Sequence, residues 1–161
     1  MSLRTDLGKL AAGHWQNEYV NIRPITTESD LIYLGFDCQL TDEQQALVNP
    51  FIGRAYLNRE NNYPCIIYNG QDDPVGFINL SKWFGSGDAY SWSYYVDKNQ
   101  QGKGYGRHAA ELAIHILKAA DPEKMIKLST EARNVKAQTL YLSLGFEKLA
   151  EMDGDDLVFG M

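Results

Sequence analysis

Apolar and polar positions along this chain change period several times, and each change marks an element. The alternation Val20-Asn21-Ile22-Arg23 predicts a half-buried strand, stopped by Pro24. Thr27 to Asp30 supplies N-cap chemistry, and Leu31, Leu34 and Gly35 then open a helix. A second helix starts near Asp42. Thr41 and Gln44 form a capping-box pair there, and Ala46, Leu47, Phe51, Ala55 and Tyr56 follow at mostly helical spacing, with Pro50 expected to kink or split it. Cys65 to Tyr68 and Val75 to Leu80 read as strands around the turn residues 69–74. A glycine-rich stretch at 85–88 leads to an aromatic strand from Ala89 to Val96, so the middle of the chain is an antiparallel meander.

The clearest helix follows, because Ala109, Leu112, Ala113, Ile116, Leu117 and Ala120 form one apolar stripe that ends at Asp121-Pro122. Ile126 to Ser129 is a short strand. Val135 to Leu144 is a helix closed by Gly145, a natural left-handed cap. Phe146 to Met152 and Leu157 to Phe159 flank Asp153-Gly154-Asp155 as a final hairpin. This order gives an α+β (mixed α/β) domain, a mixed sheet with helices packed on it. Residues 20–161 form that single domain, and residues 1–19 stay an unassigned N-terminal extension.

With 161 residues, 44% of them hydrophobic, the chain suits one domain, and its ten tyrosines and three tryptophans exclude disorder. A net charge of −6 without any Lys or Arg block argues against nucleic acid or an anionic membrane as partner. No apolar run approaches a membrane span and the first residues lack a signal-peptide stretch. Cys38 and Cys65 make no disulfide framework and read as reduced thiols of a cytoplasmic protein. His14, His108 and His115 lack metal-ligand spacing, so no metal site is expected.

One loop carries chemistry: Gln101-Gly102-Lys103-Gly104-Tyr105-Gly106-Arg107, between the aromatic strand and the clearest helix. Its glycines let backbone approach a ligand, and the first turn of the helix has unpaired N–H groups, a nest for phosphate reinforced by the helix dipole. A Walker loop is absent. Gly104-x-Gly106-x-x-Ala109 satisfies a loose dinucleotide fingerprint, but it lies past residue 100 behind an antiparallel meander, where no second βαβ half can follow.

These residues resemble the GNAT N-acetyltransferases. Gln101, Gly104 and Gly106 fill the family's pyrophosphate loop Gln/Arg-x-x-Gly-x-Gly/Ala, and Asn134-x-x-Ala137-x-x-Leu140-Tyr141 with Gly145-Phe146 fills a second signature one helix and one strand later. The resemblance covers nearly the whole chain from Val20. It implies an acyl-CoA N-acyltransferase fold with the central sheet splayed between its fourth and fifth strands and helices on both faces. Acetyl-coenzyme A is then the cosubstrate, wedged into the splay. The resemblance also implies that the backbone of Tyr95 and Val96 pairs with the pantetheine arm. The amides of Gln101, Gly102, Lys103, Gly104, Tyr105, Gly106 and Arg107 hold the pyrophosphate, Asn134 contacts the arm, and Tyr141 faces the sulfur as general acid.

Acetyl transfer needs a neutral amine, and an alkyl ammonium with pKa near ~10.4 is neutral in only about one molecule in ~10³ at pH 7. A base must therefore remove the proton. Many relatives carry a Glu on the strand before the loop, where this chain has Ser91, Trp92 and Ser93. A water chain is expected instead, with Glu131 and Asp37 as candidate carboxylates. Segments such as Leu40 to Gln44, Gln71 to Phe77 and Asp153 to Val158 are similar to bacterial spermine/spermidine acetyltransferases. The acceptor implied is a small amine, a polyamine such as spermine or spermidine. Asp37, Asp42, Glu43, Asp88, Trp83, Phe84 and Trp92 are the candidates to line its groove by charge and cation–π contact. Other readings stay open: a protein N-terminus or another small amine as acceptor, or a coenzyme A-binding regulatory module without catalysis. A homodimer through the last hairpin is open too.

Overall fold

Two hydrogen-bonded sheets, joined at a single point, organise the molecule. The computed structural model describes residues 2–34, 38–84 and 88–161, and of 46–51 the backbone alone. The first sheet is an antiparallel meander of β1 (Val20–Pro24), β2 (Asn62–Asn69), β3 (Pro74–Lys82) and β4 (Tyr90–Val96), in that spatial order. The second runs β5 (Lys127–Thr130), β7 (Asp156–Gly160), β6 (Glu147–Asp153), also antiparallel. β4 meets β5 only at a parallel bridge between Tyr90 and Ile126, where the Tyr90 amide donates to the Met125 carbonyl at 2.8 Å. Beyond that bridge no ladder joins them among the described residues. The sheet splays between its fourth and fifth strands, as the resemblance implies.

Helices cover both faces. On one lie α1 (Leu3–Leu7) and α4 (Tyr105–Ala120), whose buried stripe Ala109, Leu112, Ala113, Ile116 and Leu117 packs with Ile22, Ile67, Ile78 and Tyr90. On the other, residues after α2 (Glu28–Ile32), namely Tyr33, Leu34 and Cys38, close over Ile66, Phe77 and Tyr95. α3 (Asp42–Leu57) borders that second face. α5 (Val135–Ser143) follows β5 and ends at Gly145, whose φ of 95° is the expected left-handed cap.

Local chemistry explains the boundaries. Thr27 with Asp30 and Thr41 with Gln44 both form complete capping boxes. The helix expected to run through Gly35 reaches the edge of the described residues after Leu34. Pro50 does not split α3, which runs as one helix from Asp42 to Leu57; losing one N–H removes a single rung, and the turns on either side carry on. β2 begins at Asn62, earlier than its apolar run indicates, because its pairing with β3 starts at Asn62↔Ser81.

α1 has no counterpart in the sequence reading. Leu3 and Leu7 are fully buried, and Asp6 accepts a hydrogen bond from the Tyr90 hydroxyl at 3.0 Å. Among the described residues no helix is long and apolar enough to cross a membrane.

Candidate active site

The alternation of main-chain hydrogen bonds along β4 decides which groups the splay leaves open. The Asp97 amide donates to Val75 and the Trp83 amide to Ala89, so with the register Phe77↔Tyr95, Asn79↔Ser93 and Ser81↔Ser91 the odd-numbered residues of β4 exchange bonds with β3. Trp92, Tyr94 and Val96 therefore turn their amides and carbonyls toward β5, which has already diverged. The Val96 carbonyl is occupied by the side-chain amides of Gln44 at 3.3 Å and Gln101 at 3.1 Å. What remains open among the described residues are the N–H groups of Trp92, Tyr94 and Val96 and the carbonyls of Trp92 and Tyr94, a strand edge that an amide-bearing arm can complete. Tyr95, named from the sequence, commits its backbone to β3 and stacks its ring on Phe77 at 5.3 Å, so Tyr94 takes its place at the splay. Gly76 is required opposite Val96: a Cβ there would sit 2.4 Å from the Tyr95 carbonyl oxygen.

The loop after β4 ends in a nest. Gly102 and Gly104 take positive φ of 77° and 87°, and Gly104 is the N-cap of α4. The first α4 bond runs from the His108 amide to the Gly104 carbonyl, so the amides of Tyr105, Gly106 and Arg107 carry no helical partner and converge as an anion site. The side chains here are largely engaged. Lys103 donates to Gln100 at 2.9 Å, and Arg107 binds Glu111 at 3.0 Å and the Ser143 hydroxyl at 2.8 Å, tying α4 to α5. Asn134 caps α5 through its Oδ1 to the Ala137 amide at 3.1 Å, which leaves its NH₂ as the part that can face an arm.

Tyr141 lies on α5 and is only 9% exposed, its ring against Phe146 and Phe159 at centroid distances of 6.0 and 5.8 Å. Burial pushes its phenol up to about 12. Tyr94, which the sequence reading passed over, has its phenol raised by burial and by the neighbouring Tyr141, and its hydroxyl lies where a side chain on Gly106 would meet it at 3.7 Å. Trp92 packs edge-on against Tyr94 and Phe146, at 6.4 and 5.9 Å. One aromatic cluster thus links the splayed strand to Tyr141.

A cavity of about 760 Å³ opens on the α3 side of the sheet. Trp83, Phe84, Asp88 and Trp92, four of the residues named from the sequence, line it. Asp88 is exposed and paired with Lys124 at 3.0 Å, whose ammonium holds the carboxyl below its ordinary value. Asp42 and Glu43 do not line the cavity; they occupy the exposed first turn of α3, where they complement the helix dipole. Asp37 lies outside the described residues. Glu131 is exposed and ion-paired with Arg133, so the direct-base role considered for it has no support in this geometry.

Ser91 and Ser93, noted from the sequence at the relatives' carboxylate position, line it too, and Asn79 on the sheet and Ser129, whose hydroxyl donates to Asp153 at 3.0 Å, were not evident from the sequence. Burial, then Glu131, Asp153 and Asp155, raise the Asp156 carboxyl, so these acids crowd the hairpin tip beside the groove. The run Asp153-Gly154-Asp155-Asp156 was the signal for this cluster; it reads as a turn until the fold brings it to the cavity.

A sheet splayed after one bridge, with open strand amides leading into a glycine nest at a helix N-terminus, defines an acyl-coenzyme A N-acyltransferase fold. The family model for the acetyltransferase (GNAT) family matches residues 29–146, and the chain belongs to that family, whose members use acetyl-coenzyme A as cosubstrate. Over 90 residues, 54% of this chain, it is 31% identical to a mycothiol acetyltransferase of Beutenbergia cavernae, of which the match spans 30%. Among solved structures it resembles an acetyltransferase from Agrobacterium tumefaciens (TM-score 0.64, 14% identity, 91% of this chain and 92% of that one). It also resembles a variant of the spermidine N-acetyltransferase from Vibrio cholerae (TM-score 0.64, 16% identity, 90% and 94%). At those identities the likeness is one of fold.

Proposed function

We propose that this chain transfers acetyl from acetyl-coenzyme A to a primary amine directly, with a polyamine such as spermine or spermidine as the acceptor. The observation that carries the transfer reading is the row of splay-facing groups on Trp92, Tyr94 and Val96, continuous with the nest at Tyr105 to Arg107. A diphosphate fits the nest and an amide-bearing arm fits the strand edge. Bound there, the cosubstrate supplies an activated thioester.

The protein's own groups do the rest. A splay-facing amide of β4 is placed to donate to oxygen charge that develops on the acyl carbonyl. Tyr141 donates a hydrogen bond to the departing sulfur. Burial keeps its phenol protonated, pushed up to about 12, so it stands as a hydrogen-bond donor that stabilises the thiolate. As the N–C bond forms and the C–S bond breaks, the amine's proton leaves through water, for which Ser91 and Ser93 offer hydroxyl partners in the groove. The polyamine reading rests on the acids at the hairpin tip together with Trp83 and Phe84, because a chain of ammonium groups meets both charge and aromatic faces.

An amine panel tests both levels. Release of free thiol with spermine preferred over lysine by 100-fold or more, worth about 2.7 kcal/mol of selective transition-state binding, is the expected result. Thiol release with no such preference discards the polyamine. Cofactor binding with no turnover on any amine leaves a coenzyme A-binding module, the alternative that the missing strand carboxylate keeps open.

A further inference from the structure

The face of the sheet under α3 changes character partway along. Its rungs pass from Phe77 opposite Tyr95, in the second core, to Asn79 opposite Ser93 and Ser81 opposite Ser91, which line the groove. Asn79 is 4% exposed, and its carbonyl oxygen has no hydrogen-bond partner among the described residues. Hydrogen-bond logic fixes which end of the amide this is. The backbone carbonyl of Asn58 can only accept, so Asn62 must turn its NH₂ toward it (2.9 Å). Asn62 then presents its oxygen to Asn79, which must answer with its own NH₂ (2.8 Å). Flipping Asn79 would set two oxygens face to face. The relay therefore holds the Asn79 oxygen away from Asn62 as a buried acceptor, at the cost of leaving it unpaired, a penalty of the kind a ligand N–H or O–H removes. The serines beside it on the sheet, Ser81, Ser91 and Ser93, carry no charge, and the charged residues of the cavity wall are Arg54, Lys82, Asp88 and Asp153, the last accepting from Ser129.

We propose that Asn79 is a specificity-determining residue of the acceptor site, its oriented carbonyl oxygen selecting amines that carry a second hydrogen-bond donor besides the reacting nitrogen. This rests on the acetyl-transfer reading above and deepens it. A second nitrogen or a hydroxyl supplies the same donor chemistry. An analogue lacking the donor leaves the oxygen buried and unpaired, which is how a polar site rejects it.

The test compares kcat/KM for putrescine, aminobutanol and n-butylamine in the wild type, in Asn79→Ala and in Asn62→Ala, which keeps Asn79 but releases its orientation. The expected result is that both donor-bearing amines are preferred over n-butylamine in the wild type. That ratio falls about tenfold in Asn79→Ala and about threefold in Asn62→Ala. A preference for putrescine alone identifies the nitrogen as the recognised donor; equal preference identifies donor chemistry in general. Unchanged ratios in both variants, or an equal fall for all three amines, overturn the role of Asn79 while leaving acetyl transfer standing. If the wild type binds acetyl-coenzyme A yet acetylates none of the amines tested, including spermidine, the transfer reading fails and this one with it.

Discussion

Tyr141 and Tyr94 show what one residue's surroundings decide. Both phenols sit in one aromatic cluster, and burial keeps Tyr141 protonated well beyond neutral pH, since its phenol is pushed up to about 12. Its expected task is a hydrogen bond to the leaving sulfur, which the ring alone cannot provide. Tyr141→Phe is therefore expected to lower kcat tenfold or more while the dissociation constant for coenzyme A moves less than twofold, measured by steady-state kinetics and calorimetry. Equal turnover would take the phenol out of the chemistry. Tyr141 could be singled out because its helix carries a spaced signature. Asn79 and Tyr94 were not, because their importance depends on strand parity. Tyr94 and Tyr95 look alike in sequence, and only the Asp97 amide on Val75 decides which of them faces the splay.

Elements were read well where they are long and periodic and poorly where they are short. The stripe of α4 announces itself over sixteen residues, and the meander is punctuated by turn residues. α1 spans five residues, too few for any period to emerge, and its stability comes from burial rather than propensity. Leu3 and Leu7 enter the core beside α4, and Asp6 receives the hydroxyl of Tyr90, the residue at which β4 leaves β5. α1 thus braces the hinge of the splay. Leu7→Ala is expected to destabilise the protein by about 2–5 kcal/mol, read from denaturant unfolding, as for other buried leucines. A loss under 1 kcal/mol would mean that α1 is dispensable packing.

At the scale of the whole molecule the charge is arranged at some expense to the fold. The register places Asp153 directly opposite Asp156 across the last hairpin, and like charges at facing positions are destabilising by a few tenths to about 1 kcal/mol. Burial and the neighbouring Glu131, Asp153 and Asp155 raise the Asp156 carboxyl above its ordinary value, and Asp153 lines the groove. The pH dependence follows from that direction. A carboxyl raised in the folded state binds its proton more tightly there than in the unfolded chain, so its contribution to stability is full below the unfolded value near 3.9 and is lost as pH rises through the folded one. Asp156→Asn is expected to raise the Tm by about 1–4 °C at pH 7, with the difference shrinking toward zero near pH 3. Spermine, by neutralising the same cluster, is expected to raise the wild-type Tm more than the variant's in thermal scans at fixed ionic strength. An equal rise in both proteins would mean that the polycation binds elsewhere, and the crowding at the hairpin tip would then be a cost without a ligand to offset it.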